Sequence, residues 1–244
     1  MNPKLLLVHG AWQGAWAWEE VQQRLSDAGH ESLAIDLPGS GKDRAPLEGI
    51  DLDVYAAAVI AAAKNLLPNP IVLVAHSMGG AVATRAAALE PELFARLVYV
   101  CAFAPRDGQS VASLGKLGHE LDADTGPVAH ISANSLTSTL ERSTIEGTFF
   151  NDSPSLVDDA LLDSFRPQAV APVTAQMRLS KGFEMVPKAY ILCKRDKAIA
   201  APLQRMMADA IGAEVIHELD SGHEPFLTRP SELTSLLISE IGRI

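Results

Sequence analysis

Ile71-Val72-Leu73-Val74-Ala75-His76-Ser77-Met78-Gly79-Gly80 runs from β-branched and apolar residues into a serine set among small ones, and an Ala-rich stretch follows. The first half suits a strand and the alanines suit a helix. A serine at such a junction has the layout of a nucleophile elbow, a tight strand-to-helix turn that lifts the Oγ clear of the backbone. The turn is strained, so the residues two before and two after the serine must be small. Here they are Ala75 and Gly79. The usual pattern is Gly-x-Ser-x-Gly, from which Ala75 departs by one methyl. Any strand–turn–helix junction can hold a serine, so the rest of the chain has to decide.

Leu5-Leu6-Leu7-Val8 reads as a buried strand running straight into His9-Gly10-Ala11. Around an elbow of this type, the loop after such a strand supplies one backbone N–H of an oxyanion hole, and the residue after the serine supplies the other. The expected donors are the amides of Ala11 and Met78. Gly10 would let the backbone approach a substrate oxygen without a clashing Cβ. The His9 side chain reads as structural, bonded to loop backbone. Downstream, residues 189–193 form another apolar run with Asp196 just past its end, and residues 215–219 lead into Asp220-Ser221-Gly222-His223. Serine, acid, histidine is the expected chain order. His223 would take the proton of Ser77, and Asp196 would fix its tautomer and stabilise the imidazolium. Asp196 alone, or the Gly-His pair alone, would be an ordinary loop. Four elements in order, each just past a strand, are hard to obtain by chance.

The chain also carries Leu7-Val8-His9-Gly10-Ala11-Trp12, Gly14-Ala15-Trp16, Gly29-His30 and Ala34-Ile35-Asp36-Leu37-Pro38-Gly39. Further along stand Phe165-Arg166-Pro167-Gln168, Tyr190-Ile191-Leu192-Cys193 and Ser221-Gly222-His223. With these motifs it resembles the α/β-hydrolases, in the branch that holds plant methyl esterases, hydroxynitrile lyases and bacterial esterases. The resemblance spans nearly the full length and is weakest from 105 to 151. It implies a mostly parallel sheet of about six strands with helices on both faces. It also implies a core of 1–104 and 187–244, with a small cap insertion at 105–186 over the site.

Fold alone does not fix a reaction, but the resemblance separates several chemistries. Haloalkane dehalogenases and epoxide hydrolases need an aspartate where this chain has Ser77. The hydroxynitrile lyases of the branch carry a threonine two residues past the strand and a lysine after the histidine; here Gly10 and Glu224 stand there. Without the hydroxyl, and with a carboxylate that would repel cyanide, lyase chemistry is disfavoured. A serine carboxylesterase (carboxylic ester hydrolase) for small, short-chain esters is the expected function, working through an acyl-enzyme. It needs no metal or cofactor, and its partner is a small-molecule ester. A lyase-like enzyme and a ligand-sensing receptor with weak turnover are the alternatives. Glu224 is open to two roles, a carboxylate at a helix N-terminus or a pocket group. His76 is expected to pack rather than serve as a second base.

Composition agrees. At 244 residues the chain suffices for one α/β domain. With 48% hydrophobic residues and no apolar run near membrane-spanning length, no membrane span is expected. A net charge of -10 argues against nucleic acid. The two cysteines, Cys101 and Cys193, each end an apolar run and read as buried thiols without a disulfide framework. No basic leader or cleavage site follows Met1, so a cytoplasmic location is expected. Strands are predicted at 4–8, 31–35, 71–75, 96–101, 188–193 and 214–218, continuous runs suited to a sheet covered on both faces. Helices are predicted from Trp18 to Ala28, from an Asp51 or Asp53 cap to before Pro68, after the elbow, and from Pro230 or Ser231 to Ile241. Between 105 and 186 the rhythm breaks, with short helices expected near 154–165 and 173–179. Trp12 and Met78 adjoin the expected oxyanion donors and are the expected pocket residues, Trp12 binding substrate. Phe103, Phe149 and Phe150 suit the core at least as well. The plant relatives hold a tryptophan in the cap, whereas all three here lie at 12, 16 and 18, so a different pocket is implied.

Overall fold

The apolar runs become the strands of one sheet. The computed structural model describes residues 2–244. In chain order come β1 (Lys4–Val8), α1 (Glu19–Asp27), β2 (Ser32–Ile35), α2 (Leu52–Leu66), β3 (Ile71–His76), α3 (Gly79–Leu89) and β4 (Arg96–Val100). A less regular stretch follows, with α4 (Val111–Leu121), β5 (Ala129–Ile131), β6 (Thr137–Leu140), α5 (Arg142–Thr144), α6 (Asp159–Ser164), β7 (Gln168–Ala169), α7 (Ala171–Thr174) and α8 (Lys181–Met185). The chain returns through β8 (Lys188–Cys193), α9 (Ala201–Ala210), β9 (Val215–Leu219), α10 (Pro225–Thr228) and α11 (Pro230–Ile241).

The six long strands lie in the order β2-β1-β3-β4-β8-β9, and every neighbouring pair is parallel. Parallel neighbours need crossover connections, so helices cover both faces. The period of two splits each strand between two cores. Leu6, Val8, Leu73, Ala75 and Tyr99 face α2, α3 and α9, while Leu5, Leu7, Val72, Val74 and Val98 face Trp18, α1 and α11. This is the α/β-hydrolase fold expected from the sequence.

Local signals act where they were read. Asp51 rather than Asp53 caps α2, its Oδ1 accepting from Val54 N–H at 2.9 Å, while Asp53 pairs with Arg85. Strand bounds shift by a residue; β4 stops at Val100 because Cys101 turns out of the strand at φ 35°. The stretch from 105 to 186 differs more. It holds a three-stranded antiparallel sheet, β5-β6-β7, and the helices α4 and α8, none of which was anticipated. The helix expected near 154–165 is split into a 3-10 turn at Pro154–Leu156 and α6. The one expected near 173–179 sits earlier, as α7, because the residues after it bond elsewhere. Met177 N–H donates to Gln109 O at 2.7 Å and Leu179 N–H to Asp107 Oδ1 at 2.8 Å.

The first turn of α3 is wedged between two loops. A Cβ on Gly79 would lie 2.5 Å from His9 O, and one on Gly80 2.4 Å from Phe103 O. Backbone carbonyls cannot swing aside as flexible side chains do. Gly80→Ala is therefore expected to cost about 1–3 kcal/mol by overpacking, read as a fall in Tm of about 2–4 °C per kcal/mol. An unchanged Tm would mean that this close approach does not exist in solution.

Candidate active site

Because all six strands run the same way, the loops after β1, β3, β8 and β9 emerge at one edge of the sheet, where ligands of open α/β sheets bind. Ser77 follows β3 directly at φ 53°, a left-handed conformation that a non-glycine residue holds only when its surroundings force it. That is the strained elbow read from the sequence, and the short Ala75 and Gly79 let it form. Ser77 Oγ lies 3.0 Å from His223 Nε2, and His223 Nδ1 lies 2.8 Å from Asp196 Oδ2. With Nδ1–H donating to the carboxylate, Nε2 is the acceptor for the serine hydroxyl. All three side chains are buried.

Asp196 is tied on every side. Its Oδ1 accepts from the N–H groups of Ala198 and Ile199 at 2.7 and 2.9 Å, and its Oδ2 accepts from Gln204 Nε2 at 3.0 Å. Gln204, on α9, also accepts from Cys193 N–H at 3.0 Å, so it locks the loop after β8 to the strand it leaves. The loop bearing His223 is held by Asp152, which accepts from Gly222 N–H at 2.9 Å. Burial lowers the His223 pKa, but the charge and hydrogen bond of Asp196, with Glu224 behind it, more than reverse this and leave it above 6.5.

The two expected oxyanion donors stand open. Ala11 and Met78 both line the cavity in front of Ser77, and neither backbone N–H has a hydrogen-bond acceptor among the described residues. Gly10 is required here, since a Cβ on it would lie 2.8 Å from Ser77 Cβ and 2.9 Å from Gln13 Oε1. His9 is structural, as expected. Its Nδ1–H donates to Gly10 O at 2.7 Å and its Nε2 accepts from Leu37 N–H at 3.1 Å. Burial lowers its pKa, in keeping with a neutral ring. His76 packs against His223 with ring centres 4.6 Å apart, and its Nε2–H donates to His223 O at 2.8 Å. Burial, reinforced by the neighbouring His223, holds its pKa well below 6.5.

Glu224 carries a role that the sequence left open. It is fully buried, and both of its oxygens accept from Gln13 Nε2, at 2.8 and 2.7 Å. Gln13 Oε1 in turn accepts from Gly10 N–H at 3.1 Å. The pair thus straps the loop carrying Ala11 to the residue beside His223. Sequence reading missed Gln13 and Gln204, because a glutamine in a loop or helix announces no partner. Gln168 stood in a quoted motif, but its contacts were unforeseen. Its Oε1 accepts from Trp12 N–H at 3.4 Å and its Nε2 donates to Tyr55 Oη at 2.9 Å.

Trp12 sits at φ 64° with its indole N–H directed at Ser138, 3.2 Å from both the carbonyl and the hydroxyl oxygen. It walls a cavity of about 230 Å³ whose lining is almost wholly apolar. Met78, Phe103 and Phe149 line it too, whereas Phe150 is buried outside it, against Ile145 and Phe149. Cys101 and Cys193 are free, buried thiols. Among the described residues, His76, Cys101 and His223 place ligand atoms within 4.8 Å of one another. His76 Nε2 and Cys101 Sγ are both spent on His223 O, and the His223 ring on Ser77 and Asp196, which leaves only His76 Nδ1 free. That is too few donors for a metal centre. No helix among the described residues is long and apolar enough to cross a membrane.

Burial pushes the Glu224 carboxyl up to about 7, against the pull of His223 and Gln13, from an ordinary 4.5. Between those values the folded chain holds a proton that the unfolded chain has lost, so stability falls as pH rises through that window. Glu224→Gln is expected to remove this dependence. Its Tm relative to the native chain should rise from about pH 5 to about pH 8, by an amount worth at most a few kcal/mol at ~1.4 kcal/mol per pK unit. A difference in Tm that stays constant over that range would place an ordinary carboxylate at 224.

Three comparisons bear on this edge. The family model described as "Alpha/beta hydrolase family" matches residues 5–235. The chain is similar to putative methylesterase 11, chloroplastic, of Arabidopsis thaliana, at 31% identity over 250 residues, covering 98% of this chain and 64% of that protein. It is also similar to an alpha-hydroxynitrile lyase of the same plant, at 27% identity and 93% coverage of each. Among solved structures, a methylesterase of Arabidopsis superposes with a TM-score of 0.84 at 21% identity, covering 100% of both chains. A pyrethroid hydrolase from Sphingobium faniae does so with a TM-score of 0.84 at 21% identity, covering 99% and 98%. With the family match running almost end to end over a sheet of the expected order, the chain belongs to the alpha/beta hydrolase family.

Proposed function

We propose that this protein is a serine carboxylesterase for small apolar carboxylic esters. One observation carries it: a continuous hydrogen-bonded line from Ser77 through His223 to Asp196 opens on an apolar cavity beside two free backbone N–H groups. Ser77 Oγ attacks the ester carbonyl while His223 Nε2 takes its proton, and the oxyanion settles on the N–H groups of Ala11 and Met78. His223 then protonates the departing alkoxide. A water, deprotonated by the same imidazole, attacks the acyl-enzyme and releases the acid and free Ser77. Residues 1–104 and 187–244 form the hydrolase core, and residues 105–186 are its cap. Phe149 and Ser138 belong to that cap and line the cavity in front of the serine, where a cap limits the access of bulk water.

The relatives support ester cleavage, since methylesterases and pyrethroid hydrolases recur among them. One relative is a hydroxynitrile lyase, but the local residues point away from that reaction. Position 10 has no room for a hydroxyl-bearing side chain, and the residue after His223 is the acidic Glu224, not a cation that could receive cyanide.

Initial rates on p-nitrophenyl esters test the reading. Native protein is expected to turn over the short esters, and Ser77→Ala to lose at least ~10³-fold in kcat, because triad members act as a unit. A mild loss, or folded native protein without turnover, would overturn it.

The pH profile gives a second test. Activity requires neutral His223, whose pKa lies above 6.5, so kcat/KM is expected to fall as pH drops through a value above 6.5. Glu224→Gln removes a carboxyl that, as it ionises near pH 7, favours the imidazolium, and should move that acid limb to lower pH. A limb that stays in place would show that Glu224 does not act on His223.

A further inference from the structure

The chamber in front of Ser77 does not end at its own walls. A second cavity, of about 530 Å³, runs past α4 toward His119, Asp124 and Thr125. Phe103, Gly115, Pro127, Ala198 and Ile199 line both spaces, which therefore adjoin along these residues, Gly115 among them. One face of α4 follows them: Ala112 and Gly115 border the inner chamber, Gly115 and His119 the outer, at spacings that share a helix face. The side chains common to both walls, Phe103, Pro127, Ala198 and Ile199, are all apolar. Pockets that seat a small ligand commonly run from roughly 300 to 1,000 Å³. The inner chamber, at about 230 Å³, lies below that range, and the two spaces together lie within it.

Gly115 is hard to explain otherwise. A glycine inside a helix lowers its stability relative to alanine, and usually some close contact or a positive φ requires it. At Gly118, one turn on, a Cβ would meet Leu203 Cδ2 at 2.9 Å, so that glycine serves the packing of α4 on α9. At Gly115 a Cβ would meet nothing within 4 Å, and its φ is not positive. Gly115 borders both cavities, and a side chain there would enter open space.

We propose that Gly115 is the opening through which an unbranched apolar limb of the ester passes from Ser77 into the outer cavity, so that the enzyme accepts esters longer than the inner chamber holds. This rests on the esterase reading above. The limb is either the acyl chain or the alkoxy chain, which share one chemistry here.

The test is Gly115→Leu, whose Cβ enters open space and whose helix propensity exceeds that of glycine; an unchanged or higher Tm checks its fold. In one arm, kcat/KM is measured for p-nitrophenyl esters from acetate to dodecanoate, and in the other for alkyl acetates from methyl to dodecyl. In one arm the native enzyme should keep its activity on the long members, and the long-to-short ratio of kcat/KM should fall at least ~10-fold in the variant. Each fully buried methylene is worth about fourfold, and the responding arm identifies the limb. A length profile that Gly115→Leu leaves unaltered in both arms overturns the proposal. A third arm needs no turnover: quenching of tryptophan fluorescence by p-nitrophenyl alkyl ethers, which cannot be hydrolysed. Affinity should climb from butyl to decyl in the native protein and stop climbing in the variant. Such binding without ester turnover would retain the corridor and sink the esterase reading, whereas Ser77-dependent turnover with equal affinity gains in both proteins would do the reverse.

Discussion

The common direction of six strands is the constraint from which the site follows. A parallel sheet sends every strand end of one polarity to the same edge, so segments far apart in sequence arrive together there. Ser77 follows β3, Asp196 follows β8 and His223 follows β9, and the distances of 3.0 and 2.8 Å between them are a property of that edge. The loop after β1 arrives beside them with Ala11. The antiparallel sheet of β5, β6 and β7, with α4, then closes the top.

Buried polar groups must be matched, and around the site three glutamines each match two partners. Gln204 anchors Asp196 to β8, Gln13 joins Gly10 to Glu224, and Gln168 joins Trp12 to Tyr55. Each offers a donor and an acceptor at one tip, which lets a neutral side chain bridge two loops without burying another charge. The left-handed backbone of Trp12 is held by Gln168 on its N–H, and that of Ser77 by its own N–H on Val100 O and by Phe103 N–H on its carbonyl. Glu224 is a buried carboxyl that Gln13 alone bonds through its side chain, and its raised pKa follows from burial.

Much of this was legible in the sequence because the signals are local and steric. An apolar run of five or six residues, a small residue two positions from a serine, and an aspartate before a helix act through their own neighbours, so the parallel strands and the elbow could be read directly, and the cap of α2 could be narrowed to Asp51 or Asp53. The order serine, acid, histidine was legible because the fold imposes it. The stretch from 105 to 186 was not. Its strands are two to four residues long, and their pairing is decided by partners distant in sequence, as when Thr137 pairs with Ala169. The extended run after Thr174 follows from bonds to the 106–109 turn, which no periodicity within it records.

The sequence by itself determined the hydrolase fold, the edge at which chemistry gathers and the residues proposed for the triad, because hydrophobic period and turn sterics are written residue by residue. Only the tertiary structure decided that Gln13 meets Glu224, that Gln204 meets Asp196, and that Gly115 stands between two cavities. The physical reason is that a polar tip or a missing Cβ has no meaning until packing from elsewhere in the chain fixes what lies opposite it.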